Sequence, residues 1–301
     1  MKILLICLAP IFGFFANIAQ SATTWTTLDV PGADTKWTKW QPWTRAMGIS
    51  NNKIVGYYRI AGKQGQHGFV YDGKTWTTLD APMALETFVL GINGERIFGY
   101  YKGSHGWHGF IYDGKTFVDF DRGAQTSVRG MYGNNILSSY CDEFGEHGLL
   151  YDGKTWTTLN VPGSYMTSVM ATYGNKIVGW YPDSGPSGTH GFVYDGKTWT
   201  TLNVPKATST SATGVCGDNI VGWYTPDLNG HVHGFFYDGK AWTVLDAPGA
   251  YQTYANSVHG NSVVGYYTDE SGSTHGFICT VAGNHMDSTA LRKNGIASVQ
   301  P

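Results

Sequence analysis

The chain has 301 residues, a net charge of −2 and only 14% charged side chains. So little charge argues against nucleic acid or an anionic membrane surface as partner, since both recruit clustered Lys and Arg. No stretch approaches the ~20 consecutive apolar residues of a membrane span.

Residues 1–21 read as a secretory signal peptide: Lys2 is the lone positive charge, Ile3–Ala16 is apolar, and Ala19-Gln20-Ser21 is a tolerable cleavage site. The protein is therefore expected to be secreted or periplasmic. Next comes Ala22–Leu28 (ATTWTTL), the second half of a motif whose full form is His190–Leu202 (HGFVYDGKTWTTL). That motif recurs in register at His67–Leu79, His108–Phe120, His147–Leu159 and His233–Leu245, and His275–Thr280 (HGFICT) is its first half alone.

Each unit of about 42 residues carries four short strand patterns, separated by Gly-Asn, Asp-Gly and Pro-rich turns. In the best-kept unit these are Thr167–Thr172, Lys176–Tyr181, His190–Tyr194 and Thr198–Asn203. The second of them is apolar on both alternating faces, so its sheet must be covered on both sides. Almost nothing reads as helix, which leaves another copy of the same sheet as the cover. The prediction is an all-β, six-bladed β-propeller over residues 22–282, with four antiparallel strands per blade. An open solenoid needs polar end caps, and none is visible. Instead the two half motifs complete one blade: the amino-terminal strand becomes the outermost strand of the last blade, and no sheet edge stays open. Residues 283–301 are expected to form a loose tail.

Trp25, Trp76, Phe117, Trp156, Trp199 and Trp242 occupy one slot on the outer strands and read as buried scaffold. Cys141, Cys216 and Cys279 fall at non-equivalent places in the repeat, which implies no disulfide framework. The units, of the form G-Y-Y…H-G-F-x-Y-D-G…L-D-x-P-G-A…T…G-I…I-V-G, resemble the HAF-type repeats of bacterial extracellular proteins, with Gly in place of the middle Ala. The resemblance covers nearly the whole mature chain. It implies no common activity and transfers no catalytic residue.

Six repeat histidines, His67, His108, His147, His190, His233 and His275, are spread around the ring and cannot converge on one ion. They read as strand-start residues bonded to a neighbouring turn, and no motif calls for a metal or a cofactor. Function should lie where the repeats stop agreeing. The loops between second and third strands differ most, and they share a face with the connections between blades. Pro31–Trp43 is about eight residues longer than the other connections and carries Trp37, Trp40 and Trp43. Trp107 lies on the same face. Such a loop is a stacking platform for a ligand, a plug in the channel mouth or a contact with another protein.

At the start of the innermost strands Arg45, Phe88 and Tyr254 replace the Ser127, Ser168 and Ser211 of other blades, and Arg129 and Asn256 mark a second divergent position. Carboxylates gather on the loop face, including Glu86, Asp142, Glu146 and Asp269, but no pair stands in a motif of glycoside hydrolysis. The expected function is a monomeric, non-catalytic binding module for a glycan or other extracellular polymer, contacted through Trp37, Trp40, Trp43, Trp107, Arg45, Phe88, Arg129 and Tyr254. The alternatives are a polysaccharide-active hydrolase or lyase on the same scaffold, and a protein-interaction scaffold.

Overall fold

The computed structural model describes residues 23–33, 43–60, 62, 64–120, 127–143, 145–182, 188–227 and 230–282. Among them are twenty-four strands and no helix. The chain opens with β1 (Thr23–Leu28), followed by β2 (Trp43–Ser50), β3 (Lys53–Arg59), β4 (His67–Tyr71) and β5 (Trp76–Thr78). Then come β6 (Glu86–Asn93), β7 (Arg96–Gly103), β8 (Gly106–Tyr112) and β9 (Phe117–Asp119). The third unit is β10 (Ser127–Tyr132), β11 (Asn135–Cys141), β12 (Glu146–Tyr151) and β13 (Trp156–Leu159). The fourth is β14 (Ser168–Tyr173), β15 (Lys176–Pro182), β16 (Thr189–Tyr194) and β17 (Trp199–Leu202). The fifth is β18 (Ser209–Cys216), β19 (Asn219–Thr225), β20 (His233–Tyr237) and β21 (Trp242–Leu245). The last is β22 (Ala250–His259), β23 (Ser262–Asp269) and β24 (Thr274–Val281). The signal peptide expected over 1–21 and the tail expected over 283–301 lie outside the described residues.

The strands form a β-propeller, with one difference from the expected six separate sheets. Four sheets have four strands each, and the remaining eight strands form one continuous sheet. Its two halves, β22-β23-β24 with β1 and β2-β3-β4-β5, meet through a single parallel pair, Trp43 with Thr274. That pair arises because Trp43, expected in the loop, instead opens β2. Within each half the ladders are antiparallel, as they are in the four separate sheets.

The innermost strands β2, β6, β10, β14, β18 and β22 touch in cyclic order, and β22 returns to β2. Every one of them breaks its ladder at the same place: the register shifts around Met47, Leu90, Arg129, Met170, Thr213 and Asn256. A bulge leaves one residue unpaired and re-aims its side chain. Here that residue turns toward the axis, and the backbones then approach closely. A Cβ added at Gly48 would fall 2.7 Å from Gly91 Cα, so glycine is required there. Two bulge side chains stitch neighbours together: Thr213 Oγ1 donates to Ala255 O at 2.6 Å, and Asn256 Nδ2 to Ala46 O at 2.9 Å.

One side chain of each unit's third strand fills the space between sheets, a phenylalanine in every unit but the third, where it is Leu149. Phe69, Phe110, Phe192, Phe235 and Phe277 are all essentially inaccessible. The outer aromatics are a correction to their expected full burial, since Trp25, Trp76, Phe117, Trp156, Trp199 and Trp242 are only half-buried. Each lies on the rim with one face on its own sheet, as Trp199 does on Phe192 (centroids 5.0 Å apart) and Tyr194 (4.4 Å). The amino-terminal strand closes the last sheet as expected: β1 pairs antiparallel with β24 from Thr23–Val281 to Leu28–Gly276, and Leu28 and Val30 enter the core.

Candidate functional site

Connections between blades are anchored by a buried threonine just before the next inner strand or within its first four residues. Ala81, Val161, Val204 and Ala247 each donate N–H to the hydroxyl of Thr87, Thr167, Thr210 and Thr253, six positions on. Val30 makes the same bond to Thr44 across fourteen positions, so the first connection is eight residues longer. Trp37 and Trp40 lie within it, outside the described residues.

The loop end of the channel is asymmetric. In the third, fourth and fifth units Ser127, Ser168 and Ser211 pair across the ladder with Ser139, Trp180 and Trp223. In the last, first and second units the equivalent pairs are Tyr254–Tyr266, Arg45–Tyr57 and Phe88–Tyr100, large against large. Phe88 stacks on Tyr100 at 4.7 Å and Tyr254 on Tyr266 at 4.7 Å, both nearly parallel. Trp43 meets the edge of Tyr57 at 5.3 Å, Tyr57 meets Phe88 at 5.1 Å, and Trp107 closes on Phe88 at 5.7 Å.

Arg45 joins the two stacks. Its guanidinium lies 5.2 Å from the Trp43 ring centre and 4.5 Å from that of Tyr266. Arg59 also stands over Trp43, at 5.4 Å, and Lys102 over Trp107, at 5.7 Å. Burial works against the Arg45 charge, but the surrounding Tyr57, Tyr266 and Tyr254 oxygens hold its pKa above the ordinary value. Burial pushes the Tyr100 and Tyr266 phenols up to about 12, so both stay neutral. Arg45 Nε has no hydrogen-bond partner. Of the residues singled out in the sequence, the structure thus brings together Trp43, Arg45, Phe88, Trp107 and Tyr254. Arg129 sits deeper, as the bulge residue of β10, with Nη2 3.3 Å from Glu146 Oε1.

The repeat histidines are structural in their contacts. Each packs against the second Tyr of its unit with ring centres 5.1–5.6 Å apart. Nδ1 of His67, His147, His190, His233 and His275 faces Asp80, Asn160, Asn203, Asp246 and Asp29 at 2.8–3.0 Å. The last pair spans the chain ends. The Asp-Gly-Lys turns behave as local chemistry dictates: Asp72 Oδ1 accepts from Lys74 N and Thr75 N, while Gly73 takes φ +93°.

The loop-face carboxylates are mostly engaged. Asp142 binds His147 Nε2 at 3.1 Å and Gly145 N, and Asp269 accepts from Ser271 and Ser273. Burial pushes the Asp269 carboxyl up, but those hydrogen bonds outweigh it and hold it below the usual range. Reading the sequence missed the six bulges. The available signal was a small residue after each: Gly48, Gly91, Gly130, Ala171, Gly214 and Ser257.

No protein-family model matches the chain. No curated protein matches it by sequence. Among solved structures, the acylaminoacyl peptidase of Pyrococcus horikoshii aligns with a TM-score of 0.51 and 12% identity, over 81% of this chain and 46% of its own. The β-propeller domain of the Trilobed protease from Pyrococcus furiosus aligns at 0.47 and 10%, over 81% of this chain and 86% of its own. A chain of the nidogen/laminin complex aligns at 0.44 and 12%, over 72% of this chain and 85% of its own. The chain thus spans under half the length of the Pyrococcus horikoshii peptidase. At 12% identity that likeness is one of architecture alone: the chain is a β-propeller.

Proposed function

We propose that the chain is a secreted six-bladed propeller that binds an anionic glycan or similar extracellular polymer at its loop face without acting on it chemically. Six blades are supported by the six equivalent bulges in one closed ring of inner strands. They are also supported by the eight-stranded sheet, whose halves each repeat the four-strand pattern and share one residue pair. Export is supported by the apolar leader and by the HAF-like repeat.

The observation that carries the ligand class is Arg45, a cation held between Trp43 and Tyr266. A guanidinium among aromatic rings offers a planar donor edge to a carboxylate, and the rings offer flat apolar faces to the sugar beside it. Arg59 and Lys102 add positive charge on the same side. Hydrolysis is disfavoured, because a glycosidase needs one carboxyl with a raised pKa. Asp269 is shifted the other way, and Glu146 is committed to Arg129.

Retention on immobilised polygalacturonate, compared with cellulose, tests the reading. The parent is expected to be held by the acidic polymer, and Arg45→Gln to weaken retention about 10–100-fold, the loss of one charge-assisted hydrogen bond. No retention of the parent by either polymer refutes glycan binding, and undiminished retention of Arg45→Gln moves the site elsewhere. Release of reducing ends would favour the hydrolase.

A further inference from the structure

The end of the channel opposite the loop face holds a cavity of about 330 Å³, lined by all six inner strands. Small-molecule pockets typically span ~300–1,000 Å³ and combine apolar walls with a few placed polar groups. Its mouth is made by the last residue of each inner strand, Tyr132 and Tyr173 among them. Those two rings meet across neighbouring blades with centres 4.6 Å apart, and Tyr173 stays 36% exposed. Beside the mouth each turn is tied to the next: Lys53 reaches Glu95, Arg96 reaches Gly133 O, Lys176 reaches Asp218 and Asn219 reaches Gly260 O. Such ties hold the opening in shape, so a ligand need not order it.

The bulge slot supplies the walls. Met47, Leu90 and Met170 line the cavity from it and are only half-buried. Ring closure asks nothing of their chemistry, since Thr213 and Asn256 fill the same slot. Apolar surface left facing a channel is favourably covered by an apolar occupant, and thioethers adapt in shape and pack well on aromatic rings. No carboxylate lines the cavity, and the Arg129 charge is met by Glu146. A neutral occupant is therefore favoured.

One polar group in the lining has capacity to spare. Asn256 Nδ2 donates to Ala46 O at 2.9 Å and lies 3.4 Å from Met47 Sδ. A backbone carbonyl only accepts, so the amide can point its nitrogen one way alone. Oδ1 is left over, on a half-buried side chain, and among the described residues nothing donates to it. We infer that the cavity binds a small neutral aromatic molecule that carries a hydroxyl or N–H group. The donor bonds to Asn256 Oδ1, and the ring lies against Met47, Leu90 and Met170 after entering past Tyr132 and Tyr173. This site is separate from the loop-face cluster and does not depend on polymer binding there.

Calorimetric titration of the full chain with indole, N-methylindole and indole carboxylate tests it. Indole is expected to bind several-fold more tightly than N-methylindole, the loss of one neutral hydrogen bond. It should also bind at least 10-fold more tightly than the carboxylate, whose charge finds no partner inside. Met170→Trp fills the cavity from a half-exposed position and should abolish indole binding with an unchanged melting temperature. Leu90→Trp fills it from another blade and decides the matter should Met170→Trp not fold. Failure of the parent to bind indole at millimolar concentration overturns the site, as does equal affinity for either analogue or undiminished binding by a folded tryptophan variant.

Discussion

Removing the first strand probes how the ring is held shut. A chain beginning at Gly32 loses all of β1, whose six residues pair with β24. It also loses Trp25, whose ring lies 4.9 Å from that of Phe277, and the ion pair from Asp29 to His275 at 2.9 Å. Leu28 and Val30, 4% and 7% exposed, leave the core. Burial of two such aliphatic side chains and half an indole is worth about 4–8 kcal/mol, while a whole domain is stable by only ~5–15 kcal/mol. The truncated chain also bares the hydrogen-bonding edge of β24, a template for intermolecular pairing. Urea unfolding followed by fluorescence, with size-exclusion chromatography in parallel, should show the midpoint falling by half or more, or soluble oligomers. A truncated chain that stays monomeric and unfolds at the parent's midpoint refutes closure through β1.

The remaining predictions concern single positions. His275 faces Asp29 and Asp269, chiefly through its hydrogen bond to Asp29, and its folded pKa is raised. Its stabilisation is therefore full below the unfolded value near 6.5 and lost as pH rises through the folded value, so the urea-midpoint gap between parent and His275→Gln should be wide at low pH and close at high pH. A gap independent of pH would refute the ion pair's role. Gly48→Ala drives a Cβ to 2.7 Å from Gly91 Cα and 3.0 Å from Ile92 N, both backbone, and should cost about 1–3 kcal/mol in chemical denaturation. Met83 (φ +60°, 95% exposed) and Lys206 (φ +67°) stand where other connections use Gly163 and Gly249, also at positive φ. Met83→Gly and Lys206→Gly should each stabilise by about 0.5–1 kcal/mol, read as a higher melting temperature.

Much of this fold was legible because the motif repeats in register. The offset half motifs, Ala22–Leu28 and His275–Thr280, by themselves point to the pairing of β1 with β24. Strand ends moved by a residue or two, as β14 and β16 show, since local pattern marks ends poorly. The joined sheet was not legible. Its single pair, Trp43 with Thr274, is a non-local contact between residues with no shared motif. Nor was the partial exposure of Trp199 and its equivalents, because hydrophobicity predicts burial without saying that the outermost strand has solvent beyond it. On the loop face, divergence from the repeat found Arg45, Phe88 and Tyr254, whose partners Tyr57, Tyr100 and Tyr266 belong to the repeat itself. A search for divergence alone passes over those partners.

The bulge slot shows how a repeat separates scaffold from site. Closing the ring requires an unpaired residue in each inner strand, yet Met47, Leu90, Arg129, Met170, Thr213 and Asn256 share no chemistry. Backbone geometry is what the slot demands. Thr213 and Asn256 spend their donors on the carbonyls of Ala255 and Ala46, so ring closure explains both. Arg129 instead reaches toward the loop end, where its Nη2 meets Glu146 Oε1 at 3.3 Å. A methionine, as at Met47 or Met170, satisfies the slot without needing such a partner. The arginine is accounted for by its pair with Glu146 on β12 of the same blade, not by the ring it helps to build.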